Sequence, residues 1–288
     1  MFFKDFGRST ADLFNDDFSY KRKLKIKLPT PDGVTWTSEG ELSSKGVMAK
    51  LAANYKHPSG ISLDKLEFKT DGRILGEASL DVDSRLKLWV SAEDGRQDVG
   101  KPIKSHGKLG VEYVSPGVLV AQSDVDVVNG PTVNGSAVLS LGGESRVLAG
   151  FQATYNTQLD EKDQKPEFLD YNVGLAKVNK SWEASVRSFN KVSNLQFSLL
   201  SRVNPQVTFG AQLDYQVDKN TQGMTIGGCF RPDGDTRLSG KISSLALLSV
   251  AYAQNLSPYA HLLLSAEVDA KDWASDSHKF GLGLTLST

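Results

Sequence analysis

From about residue 21 to the last residue, the chain alternates apolar and polar residues in runs of roughly ten, separated by turn residues. One example is the stretch from Val207 to Gln216, which reads VTFGAQLDYQ. Successive side chains of a β-strand point to opposite faces, so such a run has one apolar face and one polar face. The pattern is typical of a transmembrane β-barrel, in which the apolar face meets lipid and the polar face meets water.

The number of runs sets the topology. About nineteen candidate strands lie near residues 20–29, 33–42, 47–56, 60–69, 73–82, 84–92, 102–114, 117–128, 131–142, 145–158, 168–179, 181–191, 193–204, 206–217, 221–231, 235–245, 246–256, 259–270 and 275–287. An up-and-down barrel with an odd number of strands closes only if its first and last strands run parallel. We therefore expect an all-β, transmembrane antiparallel barrel of about 19 strands closed by one parallel pair.

One run breaks the alternation. Between Leu63 and Leu66 the apolar residues change parity, which predicts a β-bulge in that strand.

Composition excludes several classes of protein. The 288 residues contain 39% hydrophobic residues with a mean hydropathy of -0.29, and no apolar run reaches the roughly 20 residues of a membrane-spanning helix. The net charge of -1 argues against nucleic-acid binding. The single Cys229 rules out an internal disulfide framework, and the four dispersed histidines suggest no metal site or cofactor. The start of the sequence lacks the pattern of a secretory signal peptide.

The first twenty residues differ from the rest. Apolar side chains recur there at spacings of three and four, whereas charged residues fall on another face, a pattern that predicts a short amphipathic helix. The apolar positions are Phe3, Phe6, Leu13 and Phe14. Such a short helix is marginal alone and needs a surface to dock on. The pattern fits a helix packed against a core or one lying on the inner wall of a pore, and for a barrel we expect the inner wall. The chain then divides into residues 1–20, the helix and its connection, and 21–288, the barrel.

The last strand carries the most specific motif. Lys279, Gly281, Leu284 and Leu286 match the mitochondrial β-signal, which is a polar residue, one spacer, glycine, two spacers and two hydrophobic residues separated by one. Further matches are FGR from residue 6, ADLF from residue 11, VLAGFQ from residue 147 and YAQ from residue 252. Together they make the chain resemble the voltage-dependent anion channels, the mitochondrial porins. Members of that family have nineteen strands, so the strand count agrees with the resemblance without being independent of it.

The resemblance implies a voltage-dependent, weakly anion-selective pore of the mitochondrial outer membrane. ATP, ADP, phosphate, small metabolites and ions would be the permeants, and the four β-signal residues would form the sorting signal read by the outer-membrane assembly machinery. The resemblance is also compatible with assembly of the protein into a homo-oligomer. A barrel this wide keeps an aqueous lumen, and strand parity and the helix assign pore-lining or selectivity roles to Arg8, Asp12, Lys23, Lys25, Lys27 and Lys87. By the same resemblance, Arg8 and Lys87 are candidate nucleotide contacts.

Two stretches depart from the family pattern. The connection after the helix reads DDFSY from residue 16, without the glycines that many members carry there, and Arg85-Leu86-Lys87 stands where many have Gly-Leu-Lys. The lysine is kept at the second site, which is why a nucleotide contact is assigned to Lys87 alone within that stretch.

Catalysis is not expected. Asp124 and Asp126 share one strand face, but paired inward carboxylates are the ordinary pattern of a water-facing wall. The glycines at 227, 228, 281 and 283 lie inside strands and precede no helix, so they form no phosphate loop; we expect them to permit curvature or a close approach of the helix. The alternatives are the related protein-import pore of the same membrane and, from another class, a soluble all-β binding protein or carbohydrate-acting enzyme.

Overall fold

One continuous β-sheet closes on itself and encloses the N-terminal segment of the chain. The computed structural model describes residues 1–43, 46–94, 105–128, 132–142, 146–157, 166–272 and 278–287. In these residues the strands are β1 (Arg22–Pro29), β2 (Val34–Ser43), β3 (Gly46–Lys56), β4 (Ile61–Lys69), β5 (Ile74–Asp83), β6 (Leu86–Asp94), β7 (His106–Ser115), β8 (Leu119–Asp126), β9 (Thr132–Leu141), β10 (Arg146–Asn156), β11 (Glu167–Val178), β12 (Trp182–Phe189), β13 (Asn194–Arg202), β14 (Val207–Gln216), β15 (Thr221–Phe230), β16 (Thr236–Ser243), β17 (Leu247–Ser257), β18 (Ala260–Asp269) and β19 (Lys279–Ser287).

The topology confirms the barrel expected from the sequence. Within the described residues, each strand pairs antiparallel with the next along the chain, and β1 pairs in parallel with β19, from Arg22 opposite Leu282 to Lys27 opposite Ser287. All nineteen predicted runs overlap an observed strand. The parts of those runs at residues 102–104, 131, 145, 158 and 275–277 lie outside the described residues.

The predicted β-bulge is also confirmed. The register of β4 shifts between Leu63 and Lys65 where it pairs with β5, which leaves Asp64 as the extra residue. Because of this bulge, Leu63 and Leu66 point to the same face although they are three residues apart.

Apolar side chains form a continuous outer belt. Phe209 is 54% exposed and Leu282 is 47% exposed, whereas Gly210 and Gly281, one position along, lie against the N-terminal segment inside. Alternation therefore places Val207, Phe209, Leu213, Leu282, Leu284 and Leu286 on the outer face. An apolar surface that runs around a whole sheet is the opposite of what a soluble all-β protein presents.

The N-terminal segment is helical in two pieces rather than one. A 3-10 helix spans Phe3–Asp5, and α1 spans Arg8–Asn15. Gly7 separates them with a φ of 72°, a left-handed conformation that glycine adopts without steric cost. None of the described helices is long and apolar enough to cross a membrane.

Candidate functional site

The N-terminal segment docks on the inner wall through aromatic side chains. Phe3 and Phe6 are buried and pack with Val138, Leu148 and Ala176 of β9 to β11. Their rings lie 5.5 Å apart between centroids. This confirms the expected amphipathic contact, because the apolar positions face the wall.

Glycines on the wall make room for these rings. A Cβ added to Gly150 would lie 2.7 Å from Phe3, and one added to Gly174, which faces Gly150 across β10 and β11, would lie 2.9 Å from Phe6. Gly210 gives the same clearance to Leu13, at 2.8 Å. The hollow that holds the segment is thus built by inward glycines of β10, β11 and β14.

The sequence pattern predicted curvature or a close approach of the helix at a different set of glycines, those at 227, 228, 281 and 283. At Gly227, Gly228 and Gly283 an added Cβ would meet neighbouring strands instead. At Gly281 it would overlap the carbonyl oxygen of Ser19, which belongs to the connection after α1.

Polar contacts fix the direction of the segment. The Ser9 hydroxyl donates to the carboxylate of Glu183 at 2.8 Å, and the guanidinium of Arg187 donates to the carbonyl oxygen of Lys4 at 3.1 Å. Lys4 Nζ in turn lies 3.8 Å from Glu112 Oε1 on β7.

The connection after α1 follows the inner face of β16 to β19 and contacts each of these strands. Asp17 accepts from Arg237 and from the Ser239 hydroxyl, and Lys241 Nζ donates to the carbonyl oxygen of Phe14 at 2.5 Å. The Tyr20 hydroxyl donates to Ser249 at 2.9 Å, the Ser265 hydroxyl donates to the carbonyl oxygen of Ser19 at 2.7 Å, and Lys279 Nζ lies 5.8 Å from the centroid of the Tyr20 ring. We call residues 14–20 with these partners the clasp.

Sequence reasoning missed the clasp. Its wall residues lie more than 200 positions along the chain from the segment that they hold, and they belong to no local motif. The one available signal was negative, namely that residues 16–20 contain no glycine, which agrees with a segment that is held at many points.

The ionisation of the clasp reflects its burial. Asp16 stays exposed, but its partial desolvation against the wall raises its pKa above the usual value, and the neighbouring charges of Asp12 and Asp17 raise it further against the opposing effect of Arg237 and Arg8. Burial also raises the pKa of Tyr20 to about 12, so this residue keeps the hydroxyl proton that it donates to Ser249.

The predicted pore-lining residues of the N-terminal segment lie together. Arg8 projects away from the wall, with its side chain 63% exposed, and forms ion pairs with Asp5 at 3.1 Å and Asp12 at 3.7 Å. Lys87 lies elsewhere, on β6, and its Nζ is 3.8 Å from Asp64 Oδ2 at the bulge of β4. The two candidate nucleotide contacts are thus each paired with a carboxylate, and the structure records no contact between these two described residues.

The lysines of β1 differ in their surroundings. Lys23 Nζ lies 3.5 Å from Glu41, whereas Glu39, which faces Lys25 across β1 and β2, binds Lys50 at 3.1 Å. Among the described residues, Lys25 and Lys27 have no carboxylate within ion-pair distance. Of the three predicted pore-lining lysines of β1, only Lys23 therefore contacts a carboxylate in the described residues, and it shares Glu41 with Lys21, which lies 2.5 Å from the other carboxylate oxygen.

The four residues that match the β-signal fall on both faces of β19. Lys279 points inward and binds Glu267 at 2.8 Å, and Gly281 lies under the clasp. Leu284 and Leu286 lie on the outer face, in register with Leu24 and Ile26 of β1. The motif is therefore also part of the seam that closes the barrel.

No group of His, Cys, Asp or Glu side chains that could hold a metal ion occurs within the part of the chain that the structure describes. Cys229 is buried on the inner face of β15, beside a cavity of about 590 Å³ that Leu13 and Asp16 also line.

Comparison with known proteins agrees with this architecture. The chain is 26% identical to the voltage-dependent anion-selective channel of Drosophila melanogaster, with 99% of this chain and 98% of that protein covered. It is 27% identical to the non-selective voltage-gated ion channel VDAC2 of Xenopus laevis at 99% and 98% coverage, and 27% identical to VDAC3 of Homo sapiens at 98% and 96%. The family model for eukaryotic porins matches residues 1–281. The chain belongs to the eukaryotic porin family.

Proposed function

We propose that this protein is a voltage-dependent, weakly anion-selective pore of the mitochondrial outer membrane. ATP, ADP, phosphate, small metabolites and ions are the permeants, and the protein catalyses no reaction. The observation that carries the proposal is a closed nineteen-strand barrel, within the described residues, whose outer face is apolar and whose inner face is charged. The names of the similar proteins, which are voltage-gated channels, favour this function over a protein-import pore.

Weak rather than strong selectivity follows from how the wall charges pair. Basic residues of the inner wall are mostly matched by carboxylates, as in Lys50 with Glu39, Lys65 with Glu67 and Lys279 with Glu267. Unmatched cations such as Lys25 and Lys27 leave a modest positive potential at one part of the wall. Such a wall raises the local concentration of anions without excluding cations.

Voltage dependence requires charges that move in the field. One elementary charge crossing the whole membrane at 100 mV gains about 2.3 kcal/mol. The N-terminal segment carries Lys4, Asp5, Arg8, Asp12, Asp16 and Asp17, so even a partial displacement of this segment in the field couples its position to voltage.

The location rests on the sorting signal. We propose that Lys279, Gly281, Leu284 and Leu286 are read by the outer-membrane assembly machinery. The outer belt then contacts membrane lipid, and in the membrane the barrels can assemble into a homo-oligomer.

Solute flux tests the proposed permeants. The purified protein is reconstituted into vesicles loaded with ATP and, separately, with a dextran too large for the lumen, and release is measured after removal of external solute. We expect ATP release in proportion to the amount of protein, with dextran retained. Retention of both solutes would contradict the proposal, and release of both would indicate membrane damage rather than a pore.

A further inference from the structure

An apolar groove runs over the outer face of β11 to β14. Its volume is about 430 Å³. The walls are large apolar side chains, among them Leu175, Phe197 and Leu213 of these strands and Met224 of the adjacent β15. A hollow in a surface that otherwise meets lipid is a place where one acyl chain can be held rather than merely slide past.

The floor of the groove arises from the strand register. Lys177 faces Ala184, Ala184 faces Leu199, and Leu199 faces Ala211, so one row across four strands alternates small and large side chains. The two alanines leave the space, and the residues of the next row, including Val186 and Phe197, bound it.

A single cation stands at the end of this row. Lys177 has the parity of the outward-facing Leu175 and lies one position before the end of β11. Its Nζ lies 5.5 Å from the centroid of the Trp182 ring, at the start of β12. No carboxylate lies within ion-pair distance of this amine in the described part of the chain. Tryptophan and lysine at a strand end are typical of the headgroup level of a membrane.

A second outer groove provides a comparison. It has a volume of about 480 Å³, lies over β7 to β10, and is lined by Tyr113, Ala121, Phe151, Ala153 and Tyr155 among others. Among the residues that the structure describes, no basic side chain lines it. The two grooves thus differ in whether a cation stands beside them.

We infer that the groove over β11 to β14 is a binding site for an anionic phospholipid. One acyl chain lies along Ala184 and Ala211, and the phosphate of the headgroup contacts Lys177 Nζ at the level of Trp182. The apolar walls bind the chain of any phospholipid, whereas the lysine gives the preference for negative charge. The inference concerns the outer face and does not depend on what passes through the lumen.

Trp182 can report the occupant. The other three tryptophans are replaced by phenylalanine, and the protein is reconstituted in phosphatidylcholine containing a small, fixed fraction of phospholipid with brominated acyl chains, which quench tryptophan. We expect brominated phosphatidylglycerol to quench Trp182 more strongly than brominated phosphatidylcholine does, to the extent of about a fivefold local enrichment. One basic residue near the headgroups provides about this factor. Lys177→Gln should bring this ratio to one, and Lys177→Arg should keep it.

Two controls separate charge from shape. Ala184→Phe fills the floor and should lower quenching by both lipids. A Tyr113→Trp reporter, placed in the second groove of a chain whose four native tryptophans are all phenylalanine, should show no preference between the lipids. If these backgrounds insert poorly, the association of spin-labelled phosphatidylglycerol and phosphatidylcholine with the unmodified chain and with Lys177→Gln gives the same comparison.

Several results would overturn the inference. Equal quenching by the two lipids, or a preference that survives Lys177→Gln, would show that the lysine does not select the headgroup. Quenching by both lipids that falls as the protein-to-lipid ratio rises would show that a second copy of the barrel covers the groove. Loss of the preference on adding soluble glycerol phosphate would show a site for free phosphate instead of a lipid.

Discussion

Lys25 and Lys27 carry positive charge of the first strand that β2 leaves unmatched, whereas Lys23 contacts Glu41, a carboxylate that it shares with Lys21. We therefore predict that Lys25→Glu shifts ion preference toward cations more than Lys23→Glu does, although both variants change the wall charge equally. An ion that passes an unpaired wall charge at a distance of about 4 Å interacts with it by about 1 kcal/mol in water. The ratio of anion to cation permeability should therefore change severalfold at low salt. Reversal potentials across a salt gradient measure it.

Salt supplies a check on that prediction. Because charges on a water-filled wall are screened over about 10 Å at 0.1 M salt, the difference between the variants should shrink as ionic strength rises. An effect of Lys23→Glu equal to that of Lys25→Glu would show that Glu41 does not neutralise Lys23.

Asp16 makes docking of the N-terminal segment depend on pH. Its pKa is raised in the docked state, first by burial and then by Asp12 and Asp17, while Arg237 and Arg8 oppose the shift. A raised carboxyl pKa contributes stability that is present below the ordinary pKa and is lost as pH rises through the docked value. The contribution of Asp16 to docking should therefore be smaller at pH 7 than in acid, and Asp16→Asn should remove this contribution.

The single thiol of the chain measures this effect. Cys229 is buried beside Leu13 and Asp16, so a maleimide reaches it faster when the segment leaves the wall. At pH 7 we expect slower labelling in Asp16→Asn than in the unmodified chain. Toward pH 4 the two rates should converge. Comparing both proteins at each pH cancels the ionisation of the thiol itself. A rate ratio that does not change with pH would exclude Asp16 as the source.

At the scale of elements, the clasp determines how firmly α1 is held. Lys241 binds the carbonyl oxygen of Phe14 at 2.5 Å and lies 4.4 Å from the centroid of the Phe18 ring. Lys241→Met removes a hydrogen bond of the charged kind, worth about 1.5 to 3 kcal/mol, so Cys229 labelling should rise about tenfold or more. Lys219→Met, in the exposed turn after β14, is the matched control and should leave labelling unchanged. Equal labelling of the two variants would mean that the clasp does not hold the segment.

β19 carries the predicted sorting motif and also contacts the clasp, so a single substitution can affect both. Any side chain at Gly281 would overlap Ser19, so Gly281→Asp disturbs the clasp as well as the sorting motif. Leu286→Asp acts on the outer face alone, and we predict that it reduces assembly into the outer membrane of isolated mitochondria without affecting synthesis. Leu284→Arg should do the same, because a cation on the lipid face near the bilayer midplane costs about 2 to 4 kcal/mol.

The neighbouring inward position is the control for β19. Thr285 lies between the two leucines and faces Lys25 across the parallel seam. Thr285→Asp should assemble normally, since a carboxylate there meets water and a lysine. If Thr285→Asp and Leu286→Asp fail equally, the cause is general damage to the strand rather than loss of the motif.

The sequence predicts the strands, the parallel closure and the bulge at Asp64, because alternation is local and a change of parity at Leu63 is visible in a few residues. It also predicts the apolar face of the N-terminal segment. It cannot predict that Gly150 and Gly174 face each other to receive Phe3 and Phe6, since this depends on the register of two strands. The pairing of Asp17 with Arg237 is equally hidden, because only closure of the barrel brings these residues together.

At the scale of the whole molecule, the barrel separates two environments with one sheet. The outer belt meets lipid with apolar side chains, and the inner wall carries ion pairs such as Lys50 with Glu39. The docked segment narrows the lumen from one side, held by aromatic packing at its start and by the clasp at its end. A wide pore with a charged inner segment docked on its wall accounts for both conduction and voltage dependence.

The most direct test of this account is current through the unmodified protein in a planar bilayer. We predict stepwise increases in current as single barrels insert, a fall to lower conductance when the voltage of either sign is raised, and a small reversal potential of anionic sign in a salt gradient. The absence of discrete steps from protein that has inserted, or a pore that conducts cations alone, would contradict the account.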